Sequence, residues 1–243
     1  MGNQGADHRI PFFPPLALLY CAMKIRISTM RQTLRVALIV LFVAPNAFAL
    51  PITGRVRVSG RIRGQNVTTI VYAELLDGRT PVQAGQFSLA QKNKAFVPHV
   101  LAAPLGSTVS FPNEDPIFHN VFTLSRPNPF DLGLYRNGAS EKRTFTAPAI
   151  YRVFCNIHPQ MAAVIIVLPT SYITEADANG NYRLDLPPGR YRITAWSERA
   201  QEPVTVEVTI GAASVGVGDL TLDESKFVDA GHKNKFGKDY PKP

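Results

Sequence analysis

The sequence predicts an all-β protein, and three observations carry that expectation. Apolar and polar residues alternate in short runs; Gly, Pro, Asn and Asp bound those runs; and no stretch of useful length repeats with helical spacing. Alternation is clearest in Gly54-Arg-Val-Arg-Val58, Val67-Thr-Thr-Ile-Val-Tyr-Ala-Glu74, Thr108-Val-Ser-Phe111 and Val204-Thr-Val-Glu-Val-Thr-Ile210. Successive side chains on a strand point to opposite faces, so each run offers one face to a core and the other to water.

In chain order, the first segment is a presequence, residues 1–49, with its signal-peptide core at 23–49. Val36-Ala-Leu-Ile-Val-Leu-Phe-Val-Ala44 is an apolar stretch preceded by Arg31 and Arg35, and Asn46-Ala-Phe-Ala49 supplies small residues for cleavage. The stretch is too short to span a bilayer. Met23 or Met30 is the expected start, and cleavage after Ala49 leaves a periplasmic or secreted chain beginning at Leu50, with no membrane span. Of the two cysteines, Cys21 and Cys155, only Cys155 survives. A lone thiol in an oxidising compartment is exposed to oxidation unless something holds it.

After the early strands, Asp115-Pro marks a turn and His119-Asn-Val-Phe-Thr123 begins a β-type run. Tyr151-Arg-Val-Phe-Cys155-Asn-Ile-His158-Pro-Gln-Met161 follows, and then the apolar run to Leu168. Taken singly, Cys155 and Met161 read as core residues and His119 as a surface or hydrogen-bonded histidine. Together they differ: Cys155, His158 and Met161 recur every third residue, so one tight loop can turn all three toward a point, with His119 as the fourth ligand from a neighbouring strand. Two imidazoles, a thiolate and a weak axial thioether form the donor set of blue-copper sites. Zinc also accepts His, His and Cys, but Met is a poor zinc ligand. His99 reads as a surface residue.

Residues 83–169 resemble the cupredoxins of the amicyanin and plastocyanin type. The likeness lies in the short Cys-x2-His-x2-Met loop, in His119-Asn-Val and in the early segments Phe96-Val-Pro98 and Gly106 to Asn113; the chain is also similar to secreted proteins of the methylamine utilisation type. The resemblance implies a Greek-key β-sandwich holding one type 1 copper, with metal ligands His119, Cys155, His158 and Met161. It implies that Asn120 ties the His strand to the ligand loop and orients a backbone donor toward the thiolate. It implies electron transfer through an exposed His158 to a redox protein partner, docked on Pro116, Ile117, Phe118, Ile157 and Pro159. The other reading is a non-redox secreted copper-binding or adhesion module.

Ile173 to Trp196, with its Asn179-Gly turn and Pro187-Pro-Gly, resembles the second half of a carboxypeptidase regulatory-like domain, a transthyretin-like sandwich. Its first half matches residues 53–58 and 67–74. The expected organisation is therefore a discontinuous regulatory-like domain (50–82 and 170–223) interrupted by the cupredoxin (83–169), which protrudes as a near-independent unit. Trp196 is expected in the regulatory-like core. Asp177-Ala-Asn-Gly-Asn181 is a hairpin turn and not a calcium loop, because Pro188 stands where a bidentate Glu is required. Asn66-Val-Thr68 matches a glycosylation sequon. Residues 224–243, with four lysines after His232, read as a solvated basic tail.

The formal net charge is +8, and the presequence carries Arg9, Lys24, Arg26, Arg31 and Arg35 against Asp7, so half of it leaves on cleavage. With no basic run interleaved with aromatics, nucleic acid is not an expected partner. No nucleophile–base constellation or phosphate-cradling loop stands out, so the chain is not expected to be an enzyme.

Overall fold

The computed structural model describes residues 49–61, 67–211, 216–228 and 231–240. The signal segment with Cys21, and Asn66 of the sequon, lie outside the described residues. Among the described residues the protein is all-β, built of sheets packed face to face. Among the described residues no helix is long and apolar enough to cross a membrane.

The chain opens with β1 (Leu50–Ser59) and β2 (Thr69–Leu75). Ten strands follow in the central segment: β3 (Gln86–Ser88), β4 (Ala90–Lys92), β5 (Ala95–Val97), β6 (Val100–Pro104), β7 (Thr108–Pro112), β8 (His119–Thr123), β9 (Phe130–Tyr135), β10 (Ser140–Thr144), β11 (Ala149–Phe154) and β12 (Ala162–Leu168). The last are β13 (Ile173–Glu175), β14 (Asn181–Leu186), β15 (Gly189–Ser197), β16 (Val204–Ile210) and β17 (Leu220–Asp223).

The first two strands share their sheets with the last five. β1 lies between β14 and β17, and β2 lies between β13 and β15, with β16 beyond. The inner faces of these two sheets share a core of Ile52, Val56, Val71, Leu184, Leu186, Ile193 and Leu222. The turn after β13 is closed by Asp177, whose Oδ1 accepts the backbone N–H groups of Asn179 and Asn181 at 2.8 Å. Gly180 is required there on two counts. Its φ is +83°, and a Cβ would stand 2.1 Å from the Val56 carbonyl oxygen.

The central strands form a sheet ordered β6-β12-β11-β8-β9, facing a smaller sheet ordered β10-β7-β3. Phe111, Val121, Phe145, Tyr151, Val153 and Ile165 fill the space between. β12 explains its own composition. Ala163, Ile165 and Val167 enter this core, whereas Val164, Ile166 and Leu168 enter another, formed with Val100, Ile70 and Trp196. A strand covered on both faces reads as a continuous apolar run.

That third core corrects two expectations. Trp196 packs at the junction with Val100 and Ile166, not in the core between the first and last strands. The central segment is also not a free-standing protrusion: β2 and β15 cover the second face of β12, because leaving Val164, Ile166 and Leu168 in water would forfeit ~1.5–3 kcal/mol for each. Polar contacts flank this apolar seam. His99 Nε2 lies 2.6 Å from Glu198, which also receives Arg152, and His99 Nδ1 lies 3.0 Å from the Ala162 carbonyl.

Glu224, just past β17, ties several strand ends together. Its carboxylate accepts two hydrogen bonds from Arg61 (2.8 and 3.1 Å) and one from the Ser197 hydroxyl (2.6 Å), and Arg61 also reaches Thr69 Oγ1. Burial opposes its ionisation, but Arg61 and Ser197 outweigh that effect and hold its pKa below the ordinary glutamate value. A depressed carboxylate pKa contributes stability above the unfolded value that is lost as pH falls through the folded one. Glu224→Gln should therefore lower unfolding stability at pH 7 by about 2–3 kcal/mol. Urea titrations should show that deficit shrinking as the pH falls below the ordinary glutamate value of about 4.3, where the unfolded carboxylate takes up a proton while the folded one still resists it. An equal deficit at both pH values would assign the loss to packing.

Candidate metal centre

β8 and β11 are antiparallel neighbours with Phe122 opposite Phe154. Continuing that register past the end of β11 brings the start of β8 level with the loop after Phe154. The loop closes on itself: Met161 N–H donates to the His158 carbonyl (3.0 Å), and Cys155 N–H donates to the Met161 carbonyl (3.1 Å). Residues 155–161 thus form a tight turn whose two ends are clamped, and His119 stands against it.

Three donor atoms meet there. Cys155 Sγ lies 3.7 Å from His158 Nδ1 and 3.9 Å from His119 Nδ1, and the two Nδ1 atoms are 3.1 Å apart. His119, Cys155 and His158 form the three-residue ligand cluster found among the described residues, with ligand atoms within 4.8 Å of one another. His119 and Cys155 are wholly buried and His158 is half-buried. Met161 is also wholly buried, beside β12 and in the same core as Cys155.

The protonation pattern fits a metal. Asp115 Oδ2 lies 2.8 Å from His119 Nε2, and the carboxylate also accepts the backbone N–H groups of Asn93 (2.6 Å) and Lys94 (2.8 Å). Burial works against ionisation of Asp115, yet the hydrogen bonds from Lys94, His119 and Asn93 prevail and keep its pKa low. An ionised acceptor at Nε2 makes that nitrogen the N–H and leaves Nδ1 as a lone pair facing Cys155 and His158. A carboxylate behind a ligating imidazole both orients the ring and raises its basicity. His158 is pushed toward its neutral form by burial first, then by His119 and Lys94, with Asp115 opposing. Neutral imidazole is the form that ligates.

Asn120 is buried without an unmet polar group. Its Nδ2 donates to Asp131 Oδ1 (2.7 Å) and the Gly133 carbonyl (2.9 Å), while its Oδ1 accepts the Asn156 N–H (3.3 Å). One side chain therefore joins β8, β9 and the ligand loop. Of the apolar rim residues, Pro116, Phe118 (57% exposed), Ile157 (43%) and Pro159 face solvent, and Ile117 is half-buried.

The C-terminal segment differs from the solvated tail expected of it. Lys235 Nζ pairs with Asp131 Oδ2 at 2.7 Å, and Tyr240 Oη donates to the Cys155 carbonyl at 2.8 Å. Burial, with the Cys155 charge adding to it, pushes the Tyr240 hydroxyl up to about 12, so it remains a donor at neutral pH. The lysine-rich composition concealed the anchors His232 and Tyr240. Sequence reasoning also missed Asp115 as a partner of His119, although the four-residue spacing across a Pro turn was a usable signal.

No protein-family model matches the chain, and no curated protein matches it. Among solved structures it is similar to a copper-containing nitrite reductase (NirK) from Thermus scotoductus SA-01, at 31% identity over 34% of this chain and 22% of that one, with a TM-score of 0.33. The chain thus spans about a fifth of that enzyme's length. It is similar to an amicyanin mutant in the Cu(I) form at 19% identity, over 40% of this chain and 99% of that one, with a TM-score of 0.33. A purple cupredoxin from Nitrosopumilus maritimus matches at 20% identity over 35% of this chain and all of that one, with a TM-score of 0.30.

The Asn120 network makes a prediction that needs no metal. Asn120→Ala leaves the Gly133 carbonyl and the Asn156 N–H without this partner, and should destabilise the metal-free protein by about 2–3 kcal/mol in urea unfolding. A loss under about 0.5 kcal/mol would mean that water replaces the amide and that the loop is held by other contacts.

Proposed function

We propose that this chain is an exported carrier of single electrons, in which His119, Cys155, His158 and Met161 would hold one type 1 copper. The observation that carries the proposal is the meeting of two imidazole nitrogens and a thiol sulfur within 4.8 Å, with the His119 lone pair turned inward by Asp115. This soft donor set favours copper over magnesium, calcium or manganese, and a buried thioether beside it favours copper over zinc. Bound copper supplies a one-electron couple between its two oxidation states.

The chain's own residues suit that task. Cys155 and His119 sit on adjacent strands, and the clamped turn restricts His158, so the ligands have little room to rearrange between oxidation states. Asp115 orients His119, and Asn120 fastens the loop to β8. Of the two histidines, only His158 has surface exposure, so it would be the route by which an electron enters or leaves the site. Pro116, Ile117, Phe118, Ile157 and Pro159 form an apolar face around it that suits docking of a redox protein partner.

We read 50–82 with 170–223 as the regulatory-like sandwich and 83–169 as the copper-holding insertion. The pairing of β1 with β14 and β17, and of β2 with β13 and β15, supports that division. Export to the periplasm or medium accords with Cys155, the one cysteine among the described residues, being kept in the interior, where a metal would protect it.

Protein supplied with Cu(II) should become intensely coloured, and Cys155→Ser should abolish the colour. Met161→Leu should keep it while raising the reduction potential in voltammetry, because losing a weakly bound thioether would favour Cu(I). A colourless protein that takes zinc and refuses copper would contradict the metal assignment. Copper that binds but cannot be reversibly reduced would instead favour a storage or adhesion module.

A further inference from the structure

We infer that Tyr240 is a positioning residue of the metal centre and that residues 231–240 form the strap that carries it. The segment folds into its own turn: Asn234 Oδ1 accepts the N–H groups of Phe236 (3.0 Å) and Lys238 (3.1 Å), and the Asn234 and Gly237 N–H groups complete the ring. The reversal returns both ends of the segment to one place. Three consecutive residues of the site, Phe154, Cys155 and Asn156, each receive a contact from it. The His232 ring stacks on Phe154 with centroids 4.2 Å apart and planes at 21°, Tyr240 Oη donates to the Cys155 carbonyl, and Lys235 N–H donates to Asn156 Oδ1 at 3.0 Å. A tail adhering through charge alone would not meet successive residues with a ring, a hydroxyl and an amide.

The strap is anchored at its far side too. Lys235 Nζ binds the same Asp131 carboxylate that receives Asn120, so the strap, β9 and the His119 strand share one hub. Within the strap, His232 Nδ1 lies 3.3 Å from Tyr240 Oη. Since the Tyr240 proton is directed at Cys155, His232 carries its hydrogen on Nδ1 and supports the hydroxyl from behind. Two consequences follow at Cys155. The hydrogen bond fixes the peptide that leads into the ligand turn, and it draws electron density from the residue that bears the sulfur, which favours the reduced metal. The second consequence rests on the copper reading given above; the first does not.

The test uses the full chain and its Tyr240→Phe variant, which retains the ring. In the metal-free proteins, a soluble disulfide reagent should modify Cys155 about fivefold to tenfold faster in the variant, the change expected when opening loses one hydrogen bond. His232→Leu should act in the same direction, and Lys238→Ala, whose side chain is exposed, should not. In the copper-loaded proteins, Tyr240→Phe should shift the reduction potential downward while keeping the colour. Unchanged thiol reactivity in both Tyr240→Phe and His232→Leu would overturn the strap. A faster thiol with an unchanged potential would overturn the positioning role and leave only a cover. Failure to bind copper at all would remove the electron-carrier reading, while the thiol rates would still decide the strap.

Discussion

The site depends on the lateral contact between β8 and β11. His119 and Cys155 are 36 residues apart, and they meet because Phe122 stands opposite Phe154 in an antiparallel pair. A slip of one residue would turn the His119 side chain to the other face of the sheet and separate it from the sulfur. Register is held by what surrounds the contact: Val121 and Val153 in the core, and Asn120 bonded across to Asn156 on one side and β9 on the other. Burying His119, Asn120 and Asp115 so deeply is tolerable because each has partners, and the partners also fix how the His119 ring and the 155–161 turn are placed. Stability and the geometry of the candidate site therefore rest on the same hydrogen bonds.

A second constraint is the double-sided burial of β12. The strand leads directly out of the ligand turn at Met161, pairs with β11 on one side and β6 on the other, and has apolar residues on both faces. Covering its outer face joins the central strands to β2 and β15 through Trp196 and Ile70. The exit of the ligand turn is thus braced by two cores at once. The strap braces its entrance, at Phe154 to Asn156, so both ends of the turn are restrained by parts of the chain distant in sequence.

Much of this was legible in the residues. Period-two alternation located β1, β2, β7 and β16, and the recurrence of Cys155, His158 and Met161 at every third residue marked the tight turn that the backbone closes between Cys155 and Met161. Those signals are local, and local signals survive in a sequence. What was not legible depends on tertiary contact. Trp196 belongs to an apolar strand end, and nothing local distinguishes packing against Ile166 from packing against Ile193. Asp115 was visible only as a turn former, because its hydrogen bond to His119 requires a backbone reversal between them. The tail misled through composition: its lysines suggested a solvated segment, while two aromatic rings and the backbone N–H of one lysine make the contacts with the ligand loop.

The central claim is that one thiolate sulfur and two imidazole nitrogens share a copper ion. X-ray absorption at the copper edge of the loaded full-length protein tests it most directly. The account predicts one short sulfur scatterer with two nitrogen scatterers, and loss of the sulfur shell in Cys155→Ser. A shell of nitrogen and oxygen alone, or a sulfur shell that survives that substitution, would contradict it.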